Sequence, residues 1–416
     1  MPDTNAQDKQ STATPRSQQA TSAADAARES GPVRPLNGVT VVSLEHAIAA
    51  PFCTRQLADL GARVIKVERP GGGDFARGYD TRVLGQSSHF VWTNRSKESL
   101  ALDLKSPQGL TILRALLAKA DVLVQNLAPG AAARLGMSWD DLHRDHPRLI
   151  VCDISGYGGD GPYRDKKAYD LLIQAEAGLL SVTGTPDCPS KAGNSIADIA
   201  AGMYAYTGVL SALLLRERTG RGSHVEVSML ESLAEWMGYP MYYAHAGATP
   251  PPRTGASHAS IYPYGPFRCG DGGSVILGIQ NEREWAVFCE KVLGDASIAT
   301  DSRFEANARR NEHRQALEAL ILEMFSASTT SEVERRLDDA QIANSRMNDM
   351  AGLWNHPQLL ARGRWQKVAT PHGEIPALLP PARNNSFEYR MDAVPEVGEH
   401  SEEILRELGI DLENLL

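Results

Sequence analysis

Three aspartates in the middle of the chain are the side chains best suited to chemistry. Asp187 lies in the sequence TGTPDCPS, in which a glycine and two prolines fix the backbone and can present a carboxylate to a cleft. Such a carboxylate can serve as a nucleophile, or it can cap a turn. Asp170 in KAYD and Asp198 in SIADIAAG are plausible caps in the same way, and Asp198 stands where a helix is expected to begin. Spacing alone leaves both roles open.

The sequence gives little support to other reactive groups. Cys188 has no histidine close to it along the chain, and there is no GxSxG turn, which disfavours acyl transfer by a thiol or a serine. The histidines in HPR, HPQ and PHG lie beside turns, but no pair has metal-ligand spacing with a third ligand. We therefore predict no metal site.

A glycine-rich segment after the second predicted strand could bind phosphate. Arg69 directly precedes GGGD at 71–74, and phosphates tend to bind at the carboxyl ends of strands. A tight turn beside a solvated arginine explains the same residues. The first strand-to-helix junction, SLEHAIAAP, lacks the GxGxxG of dinucleotide-binding turns, so a nicotinamide-dependent dehydrogenase is disfavoured.

Alternating strands and helices predict the framework that holds these residues. The strand-like runs are GVTVVSL, ARVIKVE, SLALDL, DVLVQNL and LIVCDIS. Between them lie helix-like runs, including APFCTRQLADLG and a segment opened by Ser106 and Pro107. This alternation predicts a doubly wound, Rossmann-like α/β domain, in which a parallel sheet is covered on both faces and ligand loops follow the strands.

The chain divides into four predicted parts. Residues 1–32 are rich in Ser, Thr, Ala and Gln and predict a disordered tail. Residues 33–224 form the large α/β domain, and residues 225–350 form a smaller α+β domain that begins near a proline-rich break. Residues 351–416 are a C-terminal segment that is expected to return to the large domain.

Composition narrows the possible partners and the location. A net charge of −9 and a pI near 5.7 disfavour binding to nucleic acid or to anionic lipid. No segment approaches about 18 apolar residues and the first residues have no apolar core, so we expect neither a membrane partner nor a secretory signal. Five scattered cysteines without a CxxC pair indicate reduced thiols and a cytoplasmic protein.

Seven motifs follow one another along most of the chain, from Arg34 to about Leu408. They are PLNGVTVVSLEHAIAAPFCTRQLADLGARVIKVERPGGGD, NRSKESLALDLKSPQG, DVLVQNLAPGAAARLGM, SGYGGDGPYRDKKAYDLLIQAEAGLLSVTGTPD, ADIAAGMYAYTGVLSALLLRERTGRGSHVEVSMLESL, HPQLLARG and GEHSEEILRELG. In this order they resemble the class III CoA-transferase family, which includes formyl-CoA transferase and carnitine CoA-transferase.

The resemblance implies that the chain transfers coenzyme A (CoA) through an aspartate. The family's nucleophile is an aspartate that follows a TG dipeptide, which implies Asp187 in this chain. In the family's reaction, this aspartate becomes first an aspartyl anhydride and then an aspartyl-CoA thioester. The positions that match the family's CoA contacts are Arg69, Leu102, Lys105, Asn126, Leu127 and Arg134. The CoA thioester is a substrate, and no permanently bound cofactor is expected. Family members form interlocked homodimers, so we expect a homodimer here.

Departures from the formyl-CoA transferase pattern bear on the substrate. Ile48 stands where those enzymes have glutamine, Ser155 where they have lysine, and ASHASIYPYGPF replaces a poly-glycine lid. This segment is similar to relatives that use succinyl-CoA and small dicarboxylates. We therefore expect succinyl-CoA or a similar donor and a small dicarboxylic acid as acceptor, with His258 and its neighbours as possible donors to a second carboxylate. The sequence does not identify the acid.

Two other functions remain compatible with a CoA-binding fold. The α-methylacyl-CoA racemases move an α-proton with a histidine and an aspartate. Asp198 matches their aspartate, but Tyr169 stands in place of the histidine, and they lack the counterpart of Asp187. In a non-catalytic acyl-CoA-binding protein, Asp187 would be only a turn residue.

Overall fold

The computed structural model describes residues 33–410 of the 416-residue chain. The tail predicted for residues 1–32 lies outside the described residues, as do residues 411–416 of the C-terminal segment.

The described strands are short, and most follow the predicted apolar runs. They are β1 (Thr40–Leu44), β2 (Arg63–Glu68), β3 (Lys97–Ala101), β4 (Val122–Gln125), β5 (Ile150–Ser155), β6 (Gly184–Thr185), β7 (Cys188–Pro189), β8 (His224–Ser228), β9 (Tyr264–Arg268), β10 (Ser274–Gly278), β11 (Asn344–Arg346), β12 (Trp365–Thr370) and β13 (Gly373–Leu378).

The described α-helices alternate with the strands in the first half of the chain. They are α1 (Ala49–Asp59), α2 (Ser88–Thr93), α3 (Pro107–Leu117), α4 (Ala131–Arg134), α5 (Trp139–Leu142), α6 (Asp170–Glu176), α7 (Leu179–Val182), α8 (Ile196–Thr219), α9 (Met229–Met237), α10 (Glu282–Val287), α11 (Asn307–Glu312), α12 (Arg314–Ser326), α13 (Thr330–Asp339), α14 (Met350–Trp354), α15 (Pro357–Ala361) and α16 (Ser401–Glu407). Turns of 3-10 helix occupy Phe75–Gly78, Tyr239–Gly247 and Ala296–Thr300, and a π-helical segment occupies Phe288–Leu293.

Six strands form one parallel sheet in the order β3-β2-β1-β4-β5-β8. This confirms the predicted mixed α/β fold with a parallel central sheet. The chain runs outward from β1 to β3 and then returns to the other side of β1 with β4. In sheets of this kind, ligands bind in the crevice that such a reversal leaves at the carboxyl ends of the strands.

Successive side chains of a strand point to opposite faces of the sheet, and here both sets are apolar. Helices therefore cover both faces. Val41 and Val124 face an apolar cluster that contains side chains of α1 and α8. Val42 and Leu123 face a second cluster that contains side chains of α3 and α16. The sheet is therefore buried on both sides, and only its strand ends remain available to a ligand.

Helix α8 packs closely on α1 and corrects one expectation. A Cβ at Gly202 would lie 2.7 Å from the backbone oxygen of Ala49, so only glycine allows this approach. Helix α8 has a mean hydropathy of 1.4, and by length and composition alone it could cross a membrane. This contradicts the expectation that no segment of the chain is long and apolar enough to do so. In the fold, apolar side chains on one face of α8, including Ala205 and Val209, belong to the core between α1 and the sheet, whereas Leu214 and Leu215 are exposed. Core helices of soluble proteins pass the same test.

A second apolar core lies between residues 262 and 342. It contains the antiparallel sheet β11-β10-β9 and the helices that follow, with Trp285 and Phe325 fully buried. β8 spans residue 225, where the smaller domain was expected to begin, and it pairs with β5 in the large sheet. Met229 and Leu233 of α9 also belong to the large core. The separate core of the second part thus begins near Tyr262.

The C-terminal segment contacts the large sheet. A guanidinium nitrogen of Arg390 donates to the backbone oxygens of Ala62 and Ser96, at 2.6 and 2.8 Å. Ile404 and Leu405 of α16 join the apolar cluster that contains β3. These contacts stabilise the edge of the sheet formed by β2 and β3, and those of Arg390 lie at the amino ends of the two strands.

Candidate active site

A large cleft opens at the carboxyl ends of β1, β4 and β5, where the strand order reverses. Its volume is about 1390 Å³, compared with about 300 to 1,000 Å³ for common small-molecule sites. The turns that follow these strands line it, together with residues from three segments, 75–92, 164–171 and 191–198. The volume of the cleft is therefore sufficient for a ligand as large as an acyl-CoA.

The turn from β1 to α1 lines the cleft and is held in place by Asn126. The backbone N–H of His46 donates to Asn126 Oδ1, and Asn126 Nδ2 donates to the backbone oxygen of His46, both at 2.9 Å. Ala47 has a φ of 61°, a left-handed conformation that costs a non-glycine residue about 1 kcal/mol or more. Asn126 thus lines the cleft as a predicted site residue, but its side chain is occupied with this turn.

A fully buried cluster of charges is connected to the same turn. Asp74 Oδ1 accepts the N–H of Ala47 at 3.2 Å, and Asp74 Oδ2 accepts from Lys66 Nζ at 2.8 Å. Lys66 also lies 3.3 Å from Glu45, which Lys97 reaches at 2.7 Å. Burial opposes ionisation of Asp74, but Lys66 outweighs it and holds the pKa of Asp74 well below its ordinary value. Paired charges of this kind fix the geometry of the β1–α1 turn.

A second hydrogen-bonded chain holds the loop after β4. The backbone N–H of Leu127 donates to Gln125 Oε1 at 2.7 Å, and Gln125 Nε2 donates to Asp153 Oδ1 at 2.9 Å. Asp153 Oδ2 lies 2.7 Å from His224 Nε2, and this hydrogen bond raises the pKa of His224. Leu127, a predicted CoA contact, lines the cleft on this loop.

The other predicted CoA contacts lie along the same edge of the sheet but outside the cleft lining. Arg69 follows β2, and its guanidinium donates to the backbone oxygen of Gly73 at 3.1 and 3.2 Å. Leu102, directly after β3, is buried, and Lys105 is exposed. Arg134 is the last residue of α4, which follows β4. Because β2, β3 and β4 are parallel, their carboxyl ends bring these four residues to one edge.

Asp187 lies at the tip of the hairpin β6–β7, also outside the cleft lining. It is exposed, and its carboxylate makes no hydrogen bond to any part of the chain that the structure describes, so it is not used as a cap. The Arg253 guanidinium fixes the hairpin by donating to the backbone oxygens of Thr185 and Pro186, at 2.7 and 2.5 Å. Lys191 lines the cleft, and the four residue-to-residue steps from Asp187 to Lys191 span at most about 14 Å. Asp187 thus lies near the rim of the cleft.

Of the two other aspartates, both plausible caps by sequence, only Asp170 caps a helix. Asp170 Oδ1 accepts the N–H groups of Ala197 and Asp198, at 2.8 and 3.4 Å, so Asp170 caps α8 from outside that helix. Asp198 itself lies inside the first turn of α8 and faces the cleft. Burial, and then the nearby Asp170 carboxylate, raise the pKa of Asp198 to about 7. Sequence patterns could not reveal this, because Asp170 and α8 meet only in the fold.

A row of rings lines one end of the cleft. The ring of His46 stacks on Phe75 with centroids 5.2 Å apart, Phe75 meets Tyr79 at 5.8 Å, and Tyr79 meets His89 edge-on at 5.2 Å. His89 Nδ1 lies 3.2 Å from a carboxylate oxygen of Asp80. Sequence patterns could not single out these residues, because Asp80 in a loop and His89 in α2 are nine positions apart and carry no local signal.

His258, a possible donor to a second carboxylate, has a structural role in the described segment. Its Nδ1 accepts the backbone N–H groups of Ser260 and Ile261, at 3.1 and 3.0 Å, and its ring stacks on Tyr264 with centroids 5.3 Å apart. Only its Nε2 could therefore donate to a ligand.

Comparison of the sequence with known proteins gives consistent results. The sequence model described as CoA-transferase family III matches residues 36–401. Human succinyl-CoA:glutarate CoA-transferase is 32% identical over 380 residues, which cover 90% of this chain and 86% of the human protein. The succinate–glutarate CoA-transferase of Agrobacterium fabrum is 34% identical, with coverage of 90% and 96%.

A solved structure shares both the fold and the sequence pattern. It is a CAIB/BAIF family protein from Brucella suis, which superimposes with a TM-score of 0.80 at 33% identity. The match covers 90% of this chain and 99% of the Brucella chain.

Proposed function

Because the chain belongs to CoA-transferase family III, we propose that it moves CoA from succinyl-CoA, or a similar acyl-CoA, to a small dicarboxylic acid. The observation that carries this proposal is the similarity, over 90% of this chain, to transferases named for succinyl-CoA or succinate and for glutarate. The chain is an enzyme of the class III CoA-transferase type. We propose its acyl-CoA donor, its acceptor acid and its reaction route.

The proposed route uses Asp187 as a covalent carrier. Its carboxylate attacks the thioester carbonyl carbon and CoA leaves as a thiolate, which gives a mixed anhydride. The thiolate attacks the aspartyl carbonyl, which releases the donor acid and leaves an aspartyl-CoA thioester. The acceptor carboxylate then attacks this thioester, which expels CoA as a thiolate and forms a second mixed anhydride. The thiolate attacks the acceptor's carbonyl carbon in this anhydride and cleaves it. The new acyl-CoA leaves, and Asp187 is a carboxylate again.

Several features of the described residues support this role for Asp187. The carboxylate is exposed and makes no hydrogen bond to them, so it is available to a substrate. The hairpin that carries it is fixed by Arg253 and by the N–H of Gly255, which donates to the backbone oxygen of Gly184 at 2.8 Å. A fixed backbone is what a nucleophile needs, because misplacement by about 1 Å can lower a rate roughly 100-fold.

Chemical trapping tests the covalent step. The protein is incubated with succinyl-CoA and then treated with hydroxylamine or borohydride, and the peptides are analysed by mass spectrometry. We expect a modified aspartate at position 187, and we expect Asp187→Ala to lose transfer while CoA affinity changes by only a few fold. Turnover above about a tenth of the wild-type value in Asp187→Ala would contradict the mechanism.

The neighbouring thiol provides the matched control. Cys188 is exposed and adjacent to Asp187, so it is the competing nucleophile on the same hairpin. Cys188→Ser should retain transfer and the trapped aspartate. Loss of both in Cys188→Ser, with an active Asp187→Ala, would assign the nucleophile to sulfur.

We also propose that the enzyme acts as a homodimer. Many large apolar side chains of the single chain are exposed, and large exposed apolar patches mark interaction sites. Those more than 60% exposed after residue 160 are Tyr169, Leu214, Tyr239, Tyr242 and Met350. A partner chain that covers part of this surface would remove these side chains from water.

A further inference from the structure

Three side chains at one end of the cleft have unused hydrogen-bonding capacity. His89, Tyr79 and Asp198 all line the cleft. Within residues 33–410, no hydrogen bond is made by the Tyr79 hydroxyl, by the Asp198 carboxyl or by His89 Nε2. The proposed covalent steps do not use these groups. They come from separate parts of the chain, and the cleft brings them together.

His89 is held so that one nitrogen faces away from its protein partner. Asp80 Oδ2 accepts from the Ser88 hydroxyl at 2.6 Å and lies 3.2 Å from His89 Nδ1. Asp80 Oδ1 accepts the N–H groups of Arg82 and Ser88, both at 3.0 Å, which fix the carboxylate. An imidazole that donates from Nδ1 to a carboxylate leaves Nε2 for another partner. The side chain of His89 is 42% exposed, so a ligand in the cleft can reach it.

Tyr79 and Asp198 complete a set of donors beside His89. The Tyr79 ring meets the His89 ring edge-on at 5.2 Å. Burial, then the charges of Asp74, Asp198 and Tyr169, raise the pKa of Tyr79, so its hydroxyl keeps the proton at neutral pH. The pKa of Asp198 near 7 means that this carboxyl is protonated in much of the protein at neutral pH and can also donate.

We propose that His89, Tyr79 and Asp198 form the subsite that binds the distal carboxylate of a dicarboxylic substrate. The inference rests on the proposed function and names the residues that select the substrate. A carboxylate that enters a partly dry cleft without donors loses several kcal/mol of hydration. Three N–H and O–H donors replace the water that it gives up.

Rim lysines are the main competing partners for that carboxylate. Lys167 and Lys191 line the cleft and make no ion pair within the described part of the chain. Arg164 and Lys166 are already paired with Asp165 and Glu176. Lys167 is exposed, and an exposed ammonium gains little from an ion pair in water. Among the inner donors, the Asp198 carboxyl is largely buried in the cleft wall, which gives the inner position shielding that an exposed lysine lacks.

The subsite has a consequence for pH dependence. A carboxylate bound here needs the proton on the Asp198 carboxyl. The charged or titratable groups that face these side chains from the elements around them are Asp80, Asp170, Asp74, His46, Tyr169, Lys167 and Lys191. Because the pKa of Asp198 is about 7, binding of a dicarboxylate should weaken as the pH rises through 7 and that proton leaves.

The test compares the acceptor kinetics of His89→Gln with those of the wild type. Succinyl-CoA is the donor, and glutarate and pentanoate are the acceptors, since they differ in the second carboxylate. In a double-displacement mechanism, kcat/KM for the acceptor reports only the second half of the reaction. We expect His89→Gln to lower kcat/KM for glutarate at least tenfold through KM, and to change the value for pentanoate less than twofold. Tyr79→Phe should show a smaller loss in the same direction.

Controls and a second measurement separate the alternatives. His143 lies outside the cleft lining, so His143→Gln should have the same kcat/KM values for both acceptors as the wild type. The wild-type KM for glutarate should rise at least threefold from pH 6 to 8, and Asp198→Asn should flatten that rise. Equal losses on both acceptors, a flat wild-type KM, or a selective loss of glutarate only in Lys167→Met or Lys191→Met would overturn the subsite. Wild-type protein that transfers CoA to no acid would instead contradict the proposed function, and the subsite with it.

Discussion

At the scale of residues, Asp187 and Asp198 are close in sequence but lie in opposite environments. Asp187 is exposed on a hairpin tip, whereas Asp198 is partly buried in a helix turn that already faces the Asp170 carboxylate. Environments that separate two carboxyl groups in this way allow them to have different roles at one pH. The exposed carboxylate suits a nucleophile, and the buried carboxyl suits a hydrogen-bond donor.

The raised pKa of Asp198 predicts a pH-dependent stability. Its pKa is about 7 in the folded chain against an ordinary value of 3.8, so the folded state binds this proton more tightly than the unfolded state. The resulting stabilisation is complete below about pH 4 and is lost as the pH rises through about 7. From pH 5 to pH 8, the free energy of unfolding of the wild type should fall by about 2 to 3 kcal/mol relative to that of Asp198→Asn. Urea unfolding at both pH values measures this difference. Asp187→Asn, which changes an exposed carboxyl, should follow the wild type.

Gly184 provides a test of the hairpin that carries the proposed nucleophile. Its φ is 105°, and a Cβ there would lie 2.2 Å from the backbone oxygen of Cys188. Gly184→Ala must therefore distort the tip, and we expect at least a tenfold loss of kcat with little change in the urea midpoint, because the hairpin is peripheral. Gly72→Ala, at a position with open space around the Cβ, should leave the urea midpoint unchanged. Full activity in Gly184→Ala would mean that the geometry of the tip does not matter.

At the scale of elements, the β1–α1 turn depends on the buried charges behind it. The side chains of Lys66, Glu45 and Asp74 are fully buried, and each charge has a partner of opposite sign. Breaking such a set leaves an uncompensated charge in a dry environment, which is more costly than losing an exposed pair. The strained turn at Ala47 is thus anchored by the carboxyl end of β2 and the loop that follows it.

Removal of the central lysine tests this anchoring. Lys66→Met should lower the free energy of unfolding by about 3 to 5 kcal/mol, since Asp74 and Glu45 both lose a partner. Lys367→Met removes a strand lysine from an exposed pair with Glu374 at 2.9 Å and should change stability by less than about 1 kcal/mol. Urea unfolding of both variants at pH 7 gives the comparison. Losses of equal size would show that the buried cluster contributes no more than a surface pair.

The elements were predictable from sequence to the extent that local patterns determine them. The apolar runs at Val41 and Val64 became β1 and β2, and Ser106 caps α3 by accepting the N–H of Gly109 at 3.0 Å. By contrast, the helix-like sequence SWDDLHRDHP forms only the single turn α5, which begins with a capping box at Ser138 and ends at Leu142. The capping of α8 by Asp170 and the Asp80–His89 pair required tertiary structure. Motif resemblance identified Asp187, but only the fold shows that its carboxylate is uncommitted.

At the scale of the whole molecule, residues 33–410 form two large apolar cores and a smaller cluster that contains Phe90 and Val368. One core surrounds the parallel sheet, and the other lies between residues 262 and 342. Arg253 and Gly255, which lie between the two cores along the chain, hold the hairpin of Asp187. A rearrangement between these parts would therefore move the proposed nucleophile relative to the cleft.

The exposed apolar surface predicts association of two chains. Tyr239 and Tyr242, on the 3-10 segment after α9, are 66% and 72% exposed, and Met350 on α14 is 69% exposed. Such side chains are costly to leave in water, at about 25 cal/mol for each Å² of apolar surface. We expect a dimer by light scattering at micromolar concentration. Tyr242→Glu should weaken the dimer because it would bury an unpaired charge, whereas Tyr242→Phe should preserve it. If transfer needs groups from both chains, the activity of Tyr242→Glu should fall with dilution in parallel with the dimer fraction, and a wild-type monomer with full activity would contradict the prediction.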